Sequence, residues 1–137
     1  MEKTIKVLIK EPYKEPIVKE IDNNLKSLQN IVGGYIECVP FPKVKGIDLI
    51  VNEEGKLDQL EGNFFLPHYQ DCVVGTAIVA SYNDDGEFTS LGESQIKKAK
   101  EYINYFKLEQ GENLYRDFNL LNINAKLKMK SFDEEMV

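Results

Sequence analysis

Hydrophobic and polar positions alternate at the start of this chain. In residues 4–10 (TIKVLIK), Ile5, Val7 and Ile9 alternate with Lys6, Leu8 and Lys10, the two-residue period of a strand. Glu11, Pro12 and Pro16 then turn the chain, and residues 17–21 give a second short strand that can pair with the first as a hairpin. A short helix is expected over 24–32, capped by Asp22 or Asn23, with Leu25, Leu28, Ile31 and Val32 on its apolar side. Gly33 and Gly34 stop it, since glycine accepts the left-handed conformation at a helix end. Residues 35–41 and 46–52 read as strands, and Pro40 places the first of them at a strand end or sheet edge.

Residues 53–56 read as a turn with Gly55 at positive φ. The stretch 57–69 reads as irregular, anchored by Phe64, Phe65 and Leu66. Residues 71–82 form the most apolar run and are expected as one central strand. Asn83, Asp84, Asp85 and Gly86 are a hairpin signal, returning into a short strand over 87–89. Ser90 with Glu93 matches a capping box, and a helix is expected from Leu91 to Glu109 with Ile96, Ala99, Ile103 and Phe106 as its buried stripe. Gly111 ends it. In the last segment, Leu114, Phe118, Leu121, Ala125, Met129 and Phe132 make a helical stripe, while 122–130 also alternates as a strand would. The longer stripe favours helix, and the acidic tail 133–137 is expected to fray.

These elements define an α+β fold: a small, mainly antiparallel sheet with one short N-terminal helix and two C-terminal helices. The 137 residues make one domain, with a sheet core over 4–90 and a helical part over 91–132. Two amphipathic helices beside so small a sheet suggest a homodimer or higher homo-oligomer through the C-terminal helices, with Tyr102 and Tyr105 at the contact.

Composition narrows the chemistry. The net charge of −6 disfavours nonspecific nucleic-acid binding, which needs a basic surface, and leaves a basic protein partner open. No apolar run approaches the roughly 20 residues of a membrane span. The N-terminus leads into alternation rather than a signal-peptide block, so a cytoplasmic location is expected. Cys38 and Cys72 read as two buried, reduced thiols.

Catalytic machinery is sparse. His68, the one histidine, follows Pro67 and reads as a surface residue, with no nucleophile-elbow serine to serve it. Glu53, Glu54 and Asp58 read as an exposed acidic turn rather than an acid–base pair. The 83–87 segment lacks the ligand spacing of a calcium loop. No catalytic residue, metal site or cofactor is therefore expected, and a binding protein is favoured over an enzyme. Gly75 and Thr76 interrupt an apolar strand, as a ligand's close approach, a bulge or tight packing would require.

The best ligand candidate surrounds Arg116, the single arginine. Its planar fork suits phosphate, the neighbouring Tyr115 offers a stacking face, and Lys107 and Lys126 can add charge. The competing reading pairs Arg116 with a surface carboxylate such as Glu112.

Several segments resemble a family of small domains of unknown function carried by phages, prophages and gut bacteria. They are IKVLIKEPYKEPIVKEI (5–21), SLQNIVGGYIECV (27–39), NEEGKL (52–57), VVGTAIVA (73–80) and GEFTSL (86–91) with the helix after it. The layout, a small antiparallel sheet followed by two helices, is also similar to an anti-Thoeris phage sponge. Such proteins are oligomers that hold cyclic ADP-ribose signals of bacterial defence uncleaved. That resemblance implies a phage anti-defence protein in the host bacterial cell that sequesters a cyclic nucleotide. Arg116 would contact phosphate, Tyr115, Tyr82 or Phe88 would stack, and Asn119 or Thr76 would hydrogen-bond. An acidic protein–protein inhibitor of a host defence complex is the first alternative. A small nucleotide-cleaving enzyme using Glu53, Glu54 or His68 is the second.

Overall fold

The most apolar run is cut in two at Gly75, and that cut organises the molecule. In the computed structural model, which describes residues 2–135, β1 (Thr4–Lys10) and β2 (Ile17–Asp22) form the expected antiparallel hairpin. Then follow α1 (Leu25–Val32), β3 (Ile36–Pro40), β4 (Ile47–Asn52), β5 (Gly62–Leu66), β6 (Asp71–Val74), β7 (Ala77–Tyr82), β8 (Phe88–Thr89), α2 (Glu93–Phe106) and α3 (Phe118–Glu135). The fold is α+β. The main sheet runs β2-β1-β7-β4-β3, with β8 pairing the end of β7, and β5 with β6 make a separate two-stranded sheet. The strand pairings among the described residues are antiparallel.

The expected strand over 71–82 is therefore two strands in two sheets. Gly75 sits at φ +71, and an added Cβ would lie 2.8 Å from Leu60 Cδ1. The glycine is there for the kink between the two sheets and for Leu60, which fits the packing reading of this position. The segment 57–69 is also more regular than its sequence suggested. Phe64, Phe65 and Leu66 belong to β5, and residues 67–69 form a single 3-10 turn. Alternation is hidden in β5 because all five of its residues are buried.

The sheet has a core on each face. On one, Ile5, Val7, Ile50, Ile78 and Ala80 pack with Leu28 and Val32 of α1. On the other, Leu8, Leu49, Ala77 and Val79 pack with β5, β6, α2 and α3. This double burial explains why Leu8 and Lys10 are covered instead of solvent-facing as strict alternation implied. β3 is an edge strand ending at Pro40, as expected. Cys38 lies exposed on that edge and Cys72 is half-buried, so only part of the buried-thiol expectation stands. Desolvation pushes both thiols above their usual range, which favours their protonated form.

Helix ends differ from expectation in instructive ways. Asn24, not Asp22 or Asn23, caps α1, accepting from Ser27 N at 2.8 Å. Gly33 ends α1 at φ +81. Ser90 does not cap α2; its Oγ accepts from Lys6 N at 2.9 Å and ties α2's entry to β1. Gly92 takes the cap position, and its N–H donates to the Gln95 side chain. α2 ends at Phe106 because Lys107 bridges to Phe64 of β5. Gly55 is not at positive φ; Gln59, later in that turn, is. Residues 122–130 are helical, and the helix continues through Glu135, so the tail to that point is not frayed. Residues 136 and 137 lie outside the described residues. Tyr102 is fully buried and Tyr105 half-buried within this one chain, so α3 covers the α2 face assigned above to a subunit contact.

Gly75→Ala places a side chain in the left-handed region and against Leu60. The expected cost is about 1–2 kcal/mol, read as a lower urea midpoint at unchanged slope.

Candidate functional site

The sequence places its aromatic residues so that β5, α2 and α3 converge on one cluster. Tyr102 and Phe106 are one helical turn apart on α2, and Phe132 comes from the last turns of α3. The Tyr102 ring centroid is 4.7 Å from that of Phe106, 5.2 Å from Phe132 and 5.5 Å from Phe41. His68, in the turn after β5, completes the cluster with its centroid 5.5 Å from Tyr102 and 5.9 Å from Phe132.

His68 is thus not the surface residue its Pro-flanked position suggested. Its side chain is 11% exposed. Nδ1 lies 2.8 Å from the Tyr102 hydroxyl, and Nε2 lies 2.7 Å from Asp133 Oδ1. A carboxylate only accepts, so Nε2 carries a proton, and in the neutral ring Nδ1 accepts from Tyr102. Desolvation raises the pKa of the Tyr102 hydroxyl far above its normal range, which keeps it a donor. His68 thus works as a crosslink between α2 and α3, held through both ring nitrogens.

Beside this cluster opens a hollow of about 500 Å³ lined by Lys43, Val44, Lys98, Glu101, Tyr102, Phe132 and Asp133. A second, of about 490 Å³, lies on the other side of the same loop. It is lined by Lys43, Val44 and Lys45 with Phe41 and Tyr82. The loop between β3 and β4 is therefore a wall shared by two hollows. Its backbone is unusual: Lys43 sits at φ +67 and Gly46 at +81. Left-handed geometry at a non-glycine residue is costly and recurs at binding sites. Lys43, Lys45 and Lys98 make a local basic patch on an acidic chain, and Glu101 and Asp133 add acceptors.

The residues named from sequence are spread out. Tyr115 and Arg116 lie in the turn before α3, not in a helix. Arg116 donates to Asp117 through Nε at 3.0 Å and Nη2 at 2.7 Å, and to the Gly111 carbonyl at 3.2 Å. The expected partner Glu112 is replaced by Asp117, whose carboxyl the guanidinium's hydrogen bond pulls below its ordinary range. The Tyr115 hydroxyl donates to the Leu60 carbonyl at 2.6 Å. Asn119 is exposed on the first turn of α3. Thr76 precedes β7, whereas Tyr82 ends it, so the two stand about 20 Å apart along the strand direction. Phe88 pairs with Tyr82 across β7 and β8. Tyr82 alone of these residues lines either hollow around the 41–46 loop. Glu53, Glu54 and Asp58 are exposed, as expected.

Sequence reasoning missed Lys43, Lys45, Lys98 and the His68–Asp133 pair. One signal was present, two lysines flanking a valine between Pro42 and Gly46. The histidine's partners are 34 and 65 residues away and carried none.

The family-matched segment spans most of this architecture, from β1 to the bridge after α2. The chain belongs to the domain of unknown function family DUF3846, whose pattern matches residues 5–107. No curated protein and no solved structure matches the chain. The DUF3846 segment contains Lys43, Lys98, His68 and Tyr102, while Phe132 and Asp133 come from the helix beyond it.

Two tests follow from this geometry. Phe132 is 6% exposed in the cluster, so Phe132→Ala should remove about 3–5 kcal/mol of α3 docking. Hydrogen exchange should show α3 amides losing protection while β7 amides keep theirs. Lys10 is 1% exposed, and burial pushes its ammonium down to about 8. Below pH 8 both folded and unfolded chains carry the proton, and the buried charge costs stability. Between pH 8 and the ordinary lysine range the unfolded chain binds more protons, so stability rises with pH. Lys10→Met should stabilise the protein by about 1–3 kcal/mol at pH 7, with the difference shrinking above pH 8 in chemical denaturation.

Proposed function

We propose that this DUF3846 protein is a non-catalytic binder that sequesters a cyclic nucleotide signal of the cyclic ADP-ribose type. This is the task of a phage-encoded anti-defence sponge acting in the host cell. The observation that carries the reading is the paired hollow around the 41–46 loop. Lys43 lines both hollows, with Lys98 on one and Lys45 and the half-exposed Tyr82 on the other, in a chain of net charge −6. Phosphate oxygens match lysine ammonium groups, and a base matches an aromatic face. Glu101 and Asp133 suit ribose hydroxyls as acceptors. Sequestration needs affinity without turnover, and a nanomolar constant corresponds to about −12 kcal/mol. The Arg116 site is the rival location, but Arg116 lines neither hollow.

The test is to incubate the protein with cyclic ADP-ribose isomers and cyclic dinucleotides, remove free ligand, heat-denature, and identify released molecules by mass spectrometry. Intact ligand in stoichiometric amount is expected. Chemically altered ligand would overturn the reading in favour of an enzyme, and no retained ligand would overturn it in favour of a protein partner. Lys43→Ala and Lys98→Ala should each weaken binding about tenfold. Arg116→Ala should leave it unchanged; the reverse pattern would move the site to the α3 turn.

A further inference from the structure

α3 is apolar on two opposite faces. Leu121, Ala125 and Phe132 point into the core. Leu120, Ile123 and Leu127, spaced by three and four residues, run along the opposite face at 63%, 56% and 65% exposure. Residues 118–125 include no charged side chain. A second apolar stripe on a helix whose first stripe is already buried is a surface that a partner can cover.

The charges of α3 are arranged to suit a second copy of the same helix. Asp133, Glu134 and Glu135 crowd the C-terminal turn, where the helix dipole favours cations, and the first turn carries no acid, where it favours anions. Arg116 lies just before that first turn. This order is unfavourable in a lone helix and complementary to a second copy running antiparallel. In such a pair, the acidic end of one helix lies along the N-terminal turn and Arg116 of the other. The basic stretch Lys126, Lys128 and Lys130 then faces the uncharged half of its partner. A parallel pair would set these lysines against each other.

We propose that the outer face of α3 forms a symmetric homodimer with α3 of a second copy, antiparallel, with Ile123 against the partner's Leu127. The same register brings Arg116 to the partner's Glu134. One helix pair lies at the small end of specific interfaces, so the dissociation constant falls in about the micromolar range. The dimer does not depend on the ligand proposed above.

Sedimentation equilibrium of the full chain over a wide concentration range tests this directly. The wild type should approach twice the chain mass at high concentration. Ile123→Glu and Leu127→Glu, both on exposed positions, should give the single-chain mass with unchanged circular dichroism and melting temperature. At low salt, Arg116→Glu and Glu134→Arg should each weaken association about threefold to tenfold, and the double variant should restore it. Three results would each overturn the proposal: a wild type that is monomeric throughout, a dimer that survives Leu127→Glu, or a charge swap that does not recover association.

Discussion

The pairing of β7 on both edges is the constraint from which the rest of the fold follows. Ala77, Ile78, Val79 and Ala80 are fully buried, so no water reaches their backbone groups. Each N–H and C=O must find a partner in the chain, and β1 and β4 supply them by antiparallel ladders. With both edges occupied, both faces must also be covered. α1 takes one face. The small β5–β6 sheet and the two long helices take the other. The kink at Gly75 lets a single stretch of chain serve as the centre of one sheet and the edge of the other.

The candidate site sits where that second layer meets the loop between β3 and β4. Its walls come from distant parts of the chain: Lys43 from the loop, Lys98 and Tyr102 from α2, Phe132 and Asp133 from α3. The His68 crosslink joins the last two. Its two hydrogen bonds fix the azimuth of α3 against α2, and with it the position of the carboxylate on the rim of the hollow. An aromatic cluster supplies bulk, and the histidine supplies direction.

Sequence alone carried the hairpin of β1 and β2, the short α1 with its glycine stop, the edge character of β3 and the helical nature of α2, because each depends on neighbours within a few residues. What it obscured depends on partners far away. β5 hid because burial of every residue erases alternation. Ser90 looked like a cap, yet β1 lies close enough to claim its hydroxyl. Arg116 drew notice as the single arginine, and the carboxylate it bonds is the adjacent Asp117 in place of the expected Glu112. His68 looked exposed because a loop flanked by Pro67 gives no sign of a helix arriving from 65 residues further on.

The boundary at Lys107 has an evolutionary consequence. The family-matched segment closes on itself there, through the bridge between Lys107 and Phe64, before α3 begins. α3 is then seated through side chains: Leu121, Ala125, Phe132 and the Asp133 carboxylate. An element held in that way is exchangeable, since recombination in the connector over 108–117 would leave every sheet ladder intact. The shared domain acts as a socket with an aromatic floor. The helix that plugs into it can diverge and alter what the hollow admits without refounding the fold.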